Sequence, residues 1–241
     1  MSVQAPVTTN ASALGFYASI LAAVLTVITF AIAILTPPIS GPSCVEDCIE
    51  YPYRDILSRF PRDYVWMYPA MVLTAVFLVL MVCIHHYASE GKKIFSQIGV
   101  SFALMAAAIL IVDYFIQTSV IQASLKNGET EGIALLTQYN SHGIFIALEE
   151  LGYLLMSVTF LFMAPIFSGN NRVEKALRRL FILSFVLAVV ALILFSIAYG
   201  VNREYRFEIA IISIDWLALL IAAILLSVVF WRAMRQASVG R

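Results

Sequence analysis

Four acidic residues lie within stretches that are otherwise strongly apolar: Asp113, Glu149, Glu150 and Asp215. A charged side chain at the centre of a bilayer costs about 2.5–3.5 kcal/mol on insertion scales, so acidic residues at such depths commonly serve a function. Carboxyl groups crowded in a low-dielectric pocket tend to hold protons at neutral pH. Such groups relay protons, bind a cation or protonate a substrate. The four residues therefore predict a site inside the membrane.

Helical spacing places further polar side chains beside these acids. Gln117 follows Asp113 by one helical turn, at i+4. On the next apolar stretch, His142, Glu149 and Tyr153 share a face at i, i+7 and i+11. At about 1.5 Å rise per residue, all four acids lie at a similar depth in the outer leaflet. This pattern predicts an outward-facing acidic pocket with a ligand-binding set of Asp113, Gln117, His142, Glu149, Glu150, Tyr153 and Asp215.

The charge balance of this pocket allows two interpretations. No arginine or lysine is predicted within an apolar stretch, so each acid must be protonated, hydrated or paired with a cationic ligand. The alternative is that these polar groups only join helices through hydrogen bonds, each worth about 0.6 kcal/mol. The sequence favours a binding site but leaves the structural interpretation open.

The amino-acid composition indicates whether the chain folds in water or in a membrane. Its 241 residues are 61% hydrophobic and 12% charged, whereas soluble domains are roughly 45–50% apolar and about 25% charged. The mean hydropathy is +0.91. These values are typical of an integral membrane protein. The formal net charge of +0 argues against a nucleic-acid partner, which requires a basic surface.

Charged residues and turn formers divide the chain into six spans, each close to the roughly 20 apolar residues that a membrane helix needs. Because the apolar runs are continuous, a barrel of alternating strands is excluded. The predicted fold is an all-α, six-helix transmembrane bundle that forms a single domain over residues 1–241. The predicted spans are 14–36, 66–86, 95–123, 143–167, 180–200 and 208–231.

Basic residues predict the orientation of the bundle. Nine of the lysines and arginines fall on one side of the predicted membrane and six on the other. The side richer in Lys and Arg is expected to be cytoplasmic, and the basic connector 172–179 supports this choice. Both termini are therefore predicted to be cytoplasmic, and the predicted location is the cell membrane, as a multi-pass protein.

Cys44 and Cys48 lie four residues apart in the first predicted outer loop. An oxidising compartment would allow a disulfide there, and free thiols or half of a metal site are the alternatives. A zinc site needs two further ligands, and that loop contains no histidine. With three histidines in the whole chain, metal catalysis is not expected, and no cofactor is predicted.

A resemblance accompanies the segment from Gly132 to Phe167, which contains Gln138-Tyr139-Asn140 and Glu149-Glu150-Leu151-Gly152-Tyr153-Leu154. This segment resembles a stretch of small prokaryotic multi-pass membrane proteins grouped under a domain of unknown function. That resemblance implies no activity. The bundle with its acids and histidine is also loosely similar to emopamil-binding, sterol-isomerase-like proteins, although their constellation of His and Glu with a Trp does not align with this sequence.

These observations predict a membrane protein that binds a lipid-like or small cationic ligand in its acidic pocket. Membrane lipids are the expected partners. Two alternatives stay open: an intramembrane enzyme that uses Glu149 or Glu150 as a proton donor with Asp113, and a proton-coupled carrier. Transport by a six-helix chain would suit a homo-oligomer, which the sequence also leaves open.

Overall fold

The computed structural model describes residues 9–36, 38–169 and 171–239. Within these ranges the chain is helical and contains no strand, and six helical segments are long and apolar enough to cross a membrane. The predicted all-α class is confirmed, and the chain is a multi-pass membrane protein. The helices are α1 (Thr9–Leu35), α2 (Met67–Tyr87), α3 (Lys93–Ile116), α4 (Gln122–Lys126), α5 (Ile133–Leu136), α6 (Ile144–Met163), α7 (Arg172–Tyr199) and α8 (Glu204–Val239).

Helices α7 and α8 both begin before their predicted spans. Helix α7 starts at Arg172 because the side chain of Asn171 accepts a hydrogen bond of 2.9 Å from the backbone N–H of Glu174, which caps the first turn. Helix α8 starts at Glu204. Glu208 therefore lies inside a helix, in its second turn, rather than at the edge of a loop.

The bundle has two ends, and three connectors meet at one of them. We call this end the loop face, formed by connectors 38–66, 127–143 and 200–203. Hydrogen bonds join these connectors: Tyr139 Oη donates to Asp63 Oδ2 over 3.3 Å, and His142 Nε2 lies 3.3 Å from Asn202 Oδ1. The loop face is thus one packed layer over the helix ends.

Connector 38–66 folds into three short 3-10 turns, Gly41–Ser43, Arg54–Arg59 and Arg62–Tyr64. Its own side chains Ile56 and Tyr64 are buried, and a disulfide joins Cys44 to Cys48. Apolar side chains that turn inward hold this connector against the bundle. The connector is therefore a structured cover on the loop face.

The helix order around the bundle places α8 between three neighbours. Helix α8 packs against α1, α6 and α7, while α3 packs against α2 and α6. Gly152 allows the close approach of α3 and α6, since a Cβ atom there would lie 2.6 Å from Leu110 Cδ2. This approach brings the polar side chains of α3, α6 and α8 together near the loop face.

Candidate functional site

Three helices supply a group of buried carboxyl side chains, which we call the acidic cluster: Asp113 from α3, Glu149 and Glu150 from α6, and Glu208 from α8. Their exposed fractions are 2%, 0%, 6% and 8%. The Glu208 carboxyl group faces that of Glu149, and Glu150 and Asp113 lie within electrostatic reach of it. The structure thus brings three of the four acids of the predicted site together and adds a fourth.

Glu208 was not among the residues predicted for the site. It was assigned to the border between an outer loop and the sixth span, since a charged residue there is ordinarily solvated. A signal was present nonetheless, because Glu208 and Asp215 are seven residues apart and so share one face of a helix. That spacing becomes informative once α8 is known to begin at Glu204.

Two tyrosines and a tryptophan continue the cluster into the bundle. Tyr114 Oη donates to Glu149 Oε1 over 2.6 Å and lies 2.9 Å from Tyr153 Oη. Trp216 Nε1 donates to Tyr153 Oη over 3.0 Å. The predicted residue Tyr153 therefore takes part in a hydrogen-bonded chain, together with Tyr114 and Trp216, which the sequence pattern did not single out.

Arg203, which lies outside the predicted spans, reaches the cluster, so the expectation that every acid must be protonated, hydrated or paired with a ligand was wrong for Glu150. Arg203 Nη1 lies 2.8 Å from Glu150 Oε2, and the two side chains are 27% and 7% exposed. Arg203 immediately precedes α8, and its side chain reaches from the loop face to Glu150 on α6. It neutralises Glu150, whereas Glu149 and Glu208 face each other.

Asp215 occupies a separate position deeper in the bundle. Its Oδ1 atom accepts hydrogen bonds from Ser157 Oγ over 2.7 Å and from Ser184 Oγ over 3.1 Å. Its Oδ2 atom is buried without a hydrogen-bond partner among the described residues, as is Asp113 Oδ2. Asp215 therefore links α6, α7 and α8, and Tyr153 lies within its electrostatic reach.

Gln117 and His142 bind the connectors of the loop face. The buried Gln117 side chain donates to the Leu136 carbonyl over 2.6 Å and accepts from the Gln138 backbone N–H over 3.0 Å. His142 is exposed and contacts Asn202. The contacts described for these two side chains therefore fit a role in holding the connector between α4 and α6.

A cavity of about 430 Å³ opens beside the acidic cluster. It lies between α1, α8 and the loop face, rather than among the third, fourth and sixth spans where the pocket was predicted. The space between those spans is filled by Tyr114, Tyr153 and Trp216, all of which are buried. The cavity is lined by Phe30, Ala33, Ile34, Thr36, Pro38, Ile39, Asp63, Trp66, Gln138, Tyr139, Phe145, Tyr205, Glu208, Ile209, Ile212, Ser213 and Trp216.

Glu208 belongs to both the cavity wall and the acidic cluster. Asp63 is the second acid on the cavity wall; it is buried, and its Oδ1 atom lies 2.8 Å from Arg62 Nε. The pKa of Tyr139 is raised above its ordinary value, mainly by burial and further by the neighbouring Tyr64 and Asp63. The Tyr139 hydroxyl therefore keeps its proton at physiological pH and remains a donor to Asp63.

The described residues contain no group of three or more His, Cys, Asp or Glu side chains placed to hold a metal ion. The sulfur atoms of Cys44 and Cys48 are bonded to each other. His85 Nδ1 lies 2.8 Å from Ser96 Oγ at the end of the bundle opposite the loop face. The side chains described at the candidate site carry carboxyl, hydroxyl, indole and guanidinium groups.

The segment from Gly132 to Phe167 forms α5, the turn that follows it and α6. It contributes Glu149, Glu150 and Tyr153 to the candidate site. The resemblance of this segment to a family of prokaryotic membrane proteins stays a prediction. Comparison of the chain with protein-family models, with curated proteins and with solved structures gave no match.

Proposed function

We propose that this protein binds an amphipathic ligand with a cationic amine, in the cell membrane. The amine would lie between Asp63 and Glu208 on the cavity wall, and the apolar part of the ligand would occupy the cavity. The sequence predicted a lipid-like or small cationic ligand, and this proposal narrows it to a ligand that is both, bound beside α1 and α8. The observation that carries it is the position of Glu208, which lines the cavity and also faces Glu149.

The size and lining of the cavity suit a lipid-like molecule. Its volume of about 430 Å³ lies within the range of roughly 300–1,000 Å³ that small-molecule sites usually have. Most lining side chains are apolar or aromatic. Two of them, Ile34 and Ile209, are 68% and 48% exposed, so the edge of the cavity reaches the lipid-facing surface between α1 and α8. A ligand would enter sideways from the bilayer.

The charges of the site favour an amine over a neutral or anionic head group. Two carboxyl groups that face each other in a low-dielectric environment cannot both be ionised at low cost. An ammonium group placed between Glu208 and Asp63 would supply the missing positive charge and several hydrogen-bond donors. Arg203 is already engaged by Glu150, on α6. The ligand would therefore act as the counter-ion of Glu208.

Thermal unfolding of the purified protein in detergent tests the proposal. The probes are a long-chain primary amine and the primary alcohol of the same length, which has the same chain without the charge. An amine concentration of 100 times the Kd should stabilise the folded wild type by about 2.7 kcal/mol. The alcohol should stabilise it far less. Glu208→Gln should lose this preference for the amine.

Glu131→Gln is the matched control, because Glu131 is an exposed glutamate on the loop face. It should respond to both probes as the wild type does. If Glu208→Gln folds and still prefers the amine to the same degree, the amine does not bind at Glu208 and the proposal fails. An equal response of the wild type to amine and alcohol would also contradict it.

A further inference from the structure

A second pocket adjoins the cavity at the loop face. It measures about 380 Å³ and is lined by Pro38, Ile39, Val45, Glu46, Asp47, Arg59 and Arg62. Pro38 and Ile39 line the cavity as well, so the two spaces share a wall. We call this second space the rim pocket. A ligand in the cavity could extend its polar end past this shared wall.

An ion pair lies where the two spaces meet. Arg62 lines the rim pocket, its neighbour Asp63 lines the cavity, and Arg62 Nε lies 2.8 Å from Asp63 Oδ1. The guanidinium group carries four further N–H donors, and the Arg62 side chain is largely exposed. A positive and a negative group are therefore held side by side at the mouth of the cavity.

We propose that the ligand is a zwitterionic phospholipid with a primary amine in its head group. Its phosphate would bind Arg59 and Arg62 in the rim pocket, its amine would lie against Asp63 and Glu208, and its chain would fill the cavity. The inference rests on the proposed function, whose amine site it shares. Arginine side chains bind phosphate through paired hydrogen bonds. A head group with both charges would match the adjacent charges of Arg62 and Asp63.

The acids of the rim pocket explain why a phosphate alone is a poor ligand. Glu46 and Asp47 line the same space as Arg59 and Arg62, so an isolated anion would meet repulsion as well as attraction. A zwitterion brings its own positive charge, which Asp63 and Glu208 accept. The rim pocket is therefore expected to act only together with the amine site.

The site also lies at the depth of a lipid head group. Arg62 begins the segment Arg62–Tyr87 that is long and apolar enough to cross a membrane, and Trp66 lines the cavity one helical turn further on. Tryptophan side chains favour the membrane–water interface. Below them, the cavity wall continues along Ile212 and Trp216 of α8. A bound lipid would keep the orientation it has in the leaflet.

Competitive stabilisation with four probes tests the inference: lysophosphatidylethanolamine, a long-chain primary amine, lysophosphatidic acid and inorganic phosphate. The thermal unfolding of the full-length protein is followed in a non-ionic detergent. The half-saturating concentration of lysophosphatidylethanolamine should be about tenfold or more below that of the amine. Lysophosphatidic acid should bind weakly, and inorganic phosphate should give no shift.

Variants of the arginines test the phosphate site separately from the amine site. Arg59→Gln, which keeps the ion pair of Arg62 and Asp63, should remove most of the preference for lysophosphatidylethanolamine and leave amine binding unchanged. Arg59→Gln with Arg62→Gln should remove the preference entirely. Arg54→Gln is the control, because Arg54 is exposed in the same connector and does not line the rim pocket. It should behave as the wild type.

The outcomes distinguish this inference from the proposed function. Equal affinity for the amine and lysophosphatidylethanolamine, with Glu208→Gln still losing both, would overturn the phosphate site and leave the amine site intact. Lysophosphatidic acid that binds as well as lysophosphatidylethanolamine would overturn recognition of a zwitterion. Stabilisation by inorganic phosphate alone would indicate a free-phosphate site instead of a lipid site. Failure of every lipid probe would overturn both proposals.

Discussion

At the scale of single residues, Glu208 joins two features that would otherwise be unrelated. Its side chain lines the cavity and also faces Glu149, which accepts a hydrogen bond from Tyr114. Consecutive polar contacts connect Glu149 to Tyr114, Tyr153 and Trp216. Ligand binding is expected to depend on Glu208 more than on any other residue.

Arg203 allows a second test at this scale. Arg203→Gln should destabilise the protein, because it leaves the carboxylate of the buried Glu150 without its cation. Loss of one partner from a fully buried pair costs about 3–5 kcal/mol, and the partial exposure of Arg203 should reduce this cost. The double variant Arg203→Gln with Glu150→Gln should recover most of the loss, since the buried charge is then gone.

A double-mutant cycle on the free energy of unfolding measures this coupling. Arg206→Gln is the matched control, because Arg206 lies in the first turn of α8 and its Nη1 atom donates to the Asn202 carbonyl. It should have a small effect. Additive effects of the two changes at Arg203 and Glu150 would contradict the assignment of Arg203 as the counter-ion of the cluster.

At the scale of the helices, the approach of α3 to α6 positions the acids. Gly152 lies on α6 beside Glu149 and Tyr153, and a Cβ atom there would lie 2.6 Å from Leu110 side-chain atoms. Tyr114 of α3 meets Glu149 and Tyr153 of α6 only because the two helices come this close. A small residue is the usual means of such close helix packing in membranes.

Gly152→Ala is expected to destabilise the protein by about 1–3 kcal/mol, since the added methyl group overpacks the contact with Leu110. The amine should also bind more weakly if the separation of α3 and α6 disturbs Glu149. Gly91→Ala is the control, because a Cβ atom there would have no neighbour within 4 Å. Adding Leu110→Ala to Gly152→Ala should restore part of the stability. Equal unfolding free energies for the Gly152 and Gly91 variants would contradict this account.

The sequence predicted the elements better than the site. Continuous apolar runs and turn formers were sufficient for the six helices, because a bilayer leaves a chain few ways to satisfy its backbone polar groups. Asp113, Glu149 and Glu150 were also recognised, since ionisable residues in apolar stretches stand out. The sequence could not show that these acids lie near Glu208, because their proximity depends on how far α8 extends beyond its apolar run.

The cavity beside α1 and α8 could not be predicted for a similar reason. Polar residues alone suggested an open space among the third, fourth and sixth spans, but the volume of Tyr114, Tyr153 and Trp216 fills that region. The open space lies instead where α1 and α8 meet connector 38–66, beside Asp63. Packing of large side chains and the path of a connector are properties of the folded chain that the spacing of polar residues does not encode.

At the scale of the whole molecule, the loop face is expected to lie outside the cytoplasm, with both termini inside. The basic residues Arg172, Lys175, Arg178 and Arg179 lie in the first turns of α7, at the opposite end of the bundle from the loop face. Positive residues of short connectors favour the cytoplasmic side. The disulfide between Cys44 and Cys48 lies on the loop face, where an oxidising compartment would preserve it.

Reporter fusions test this orientation. A fluorescent protein that matures only in the cytoplasm should be active when fused after Arg241, and alkaline phosphatase, which needs an oxidising compartment, should be inactive there. Insertion of the phosphatase at Gly128, where the chain is exposed on the loop face, should give an active enzyme. The reverse pattern would place the cavity mouth on the cytoplasmic side.

A crystal structure of the protein with a bound long-chain primary amine tests where the amine binds. The amine nitrogen should lie within hydrogen-bond distance of the Glu208 and Asp63 carboxyl groups, with the chain extending between α1 and α8 toward Trp216. An amine found beside Asp215, or a chain bound elsewhere with the cavity empty, would contradict it.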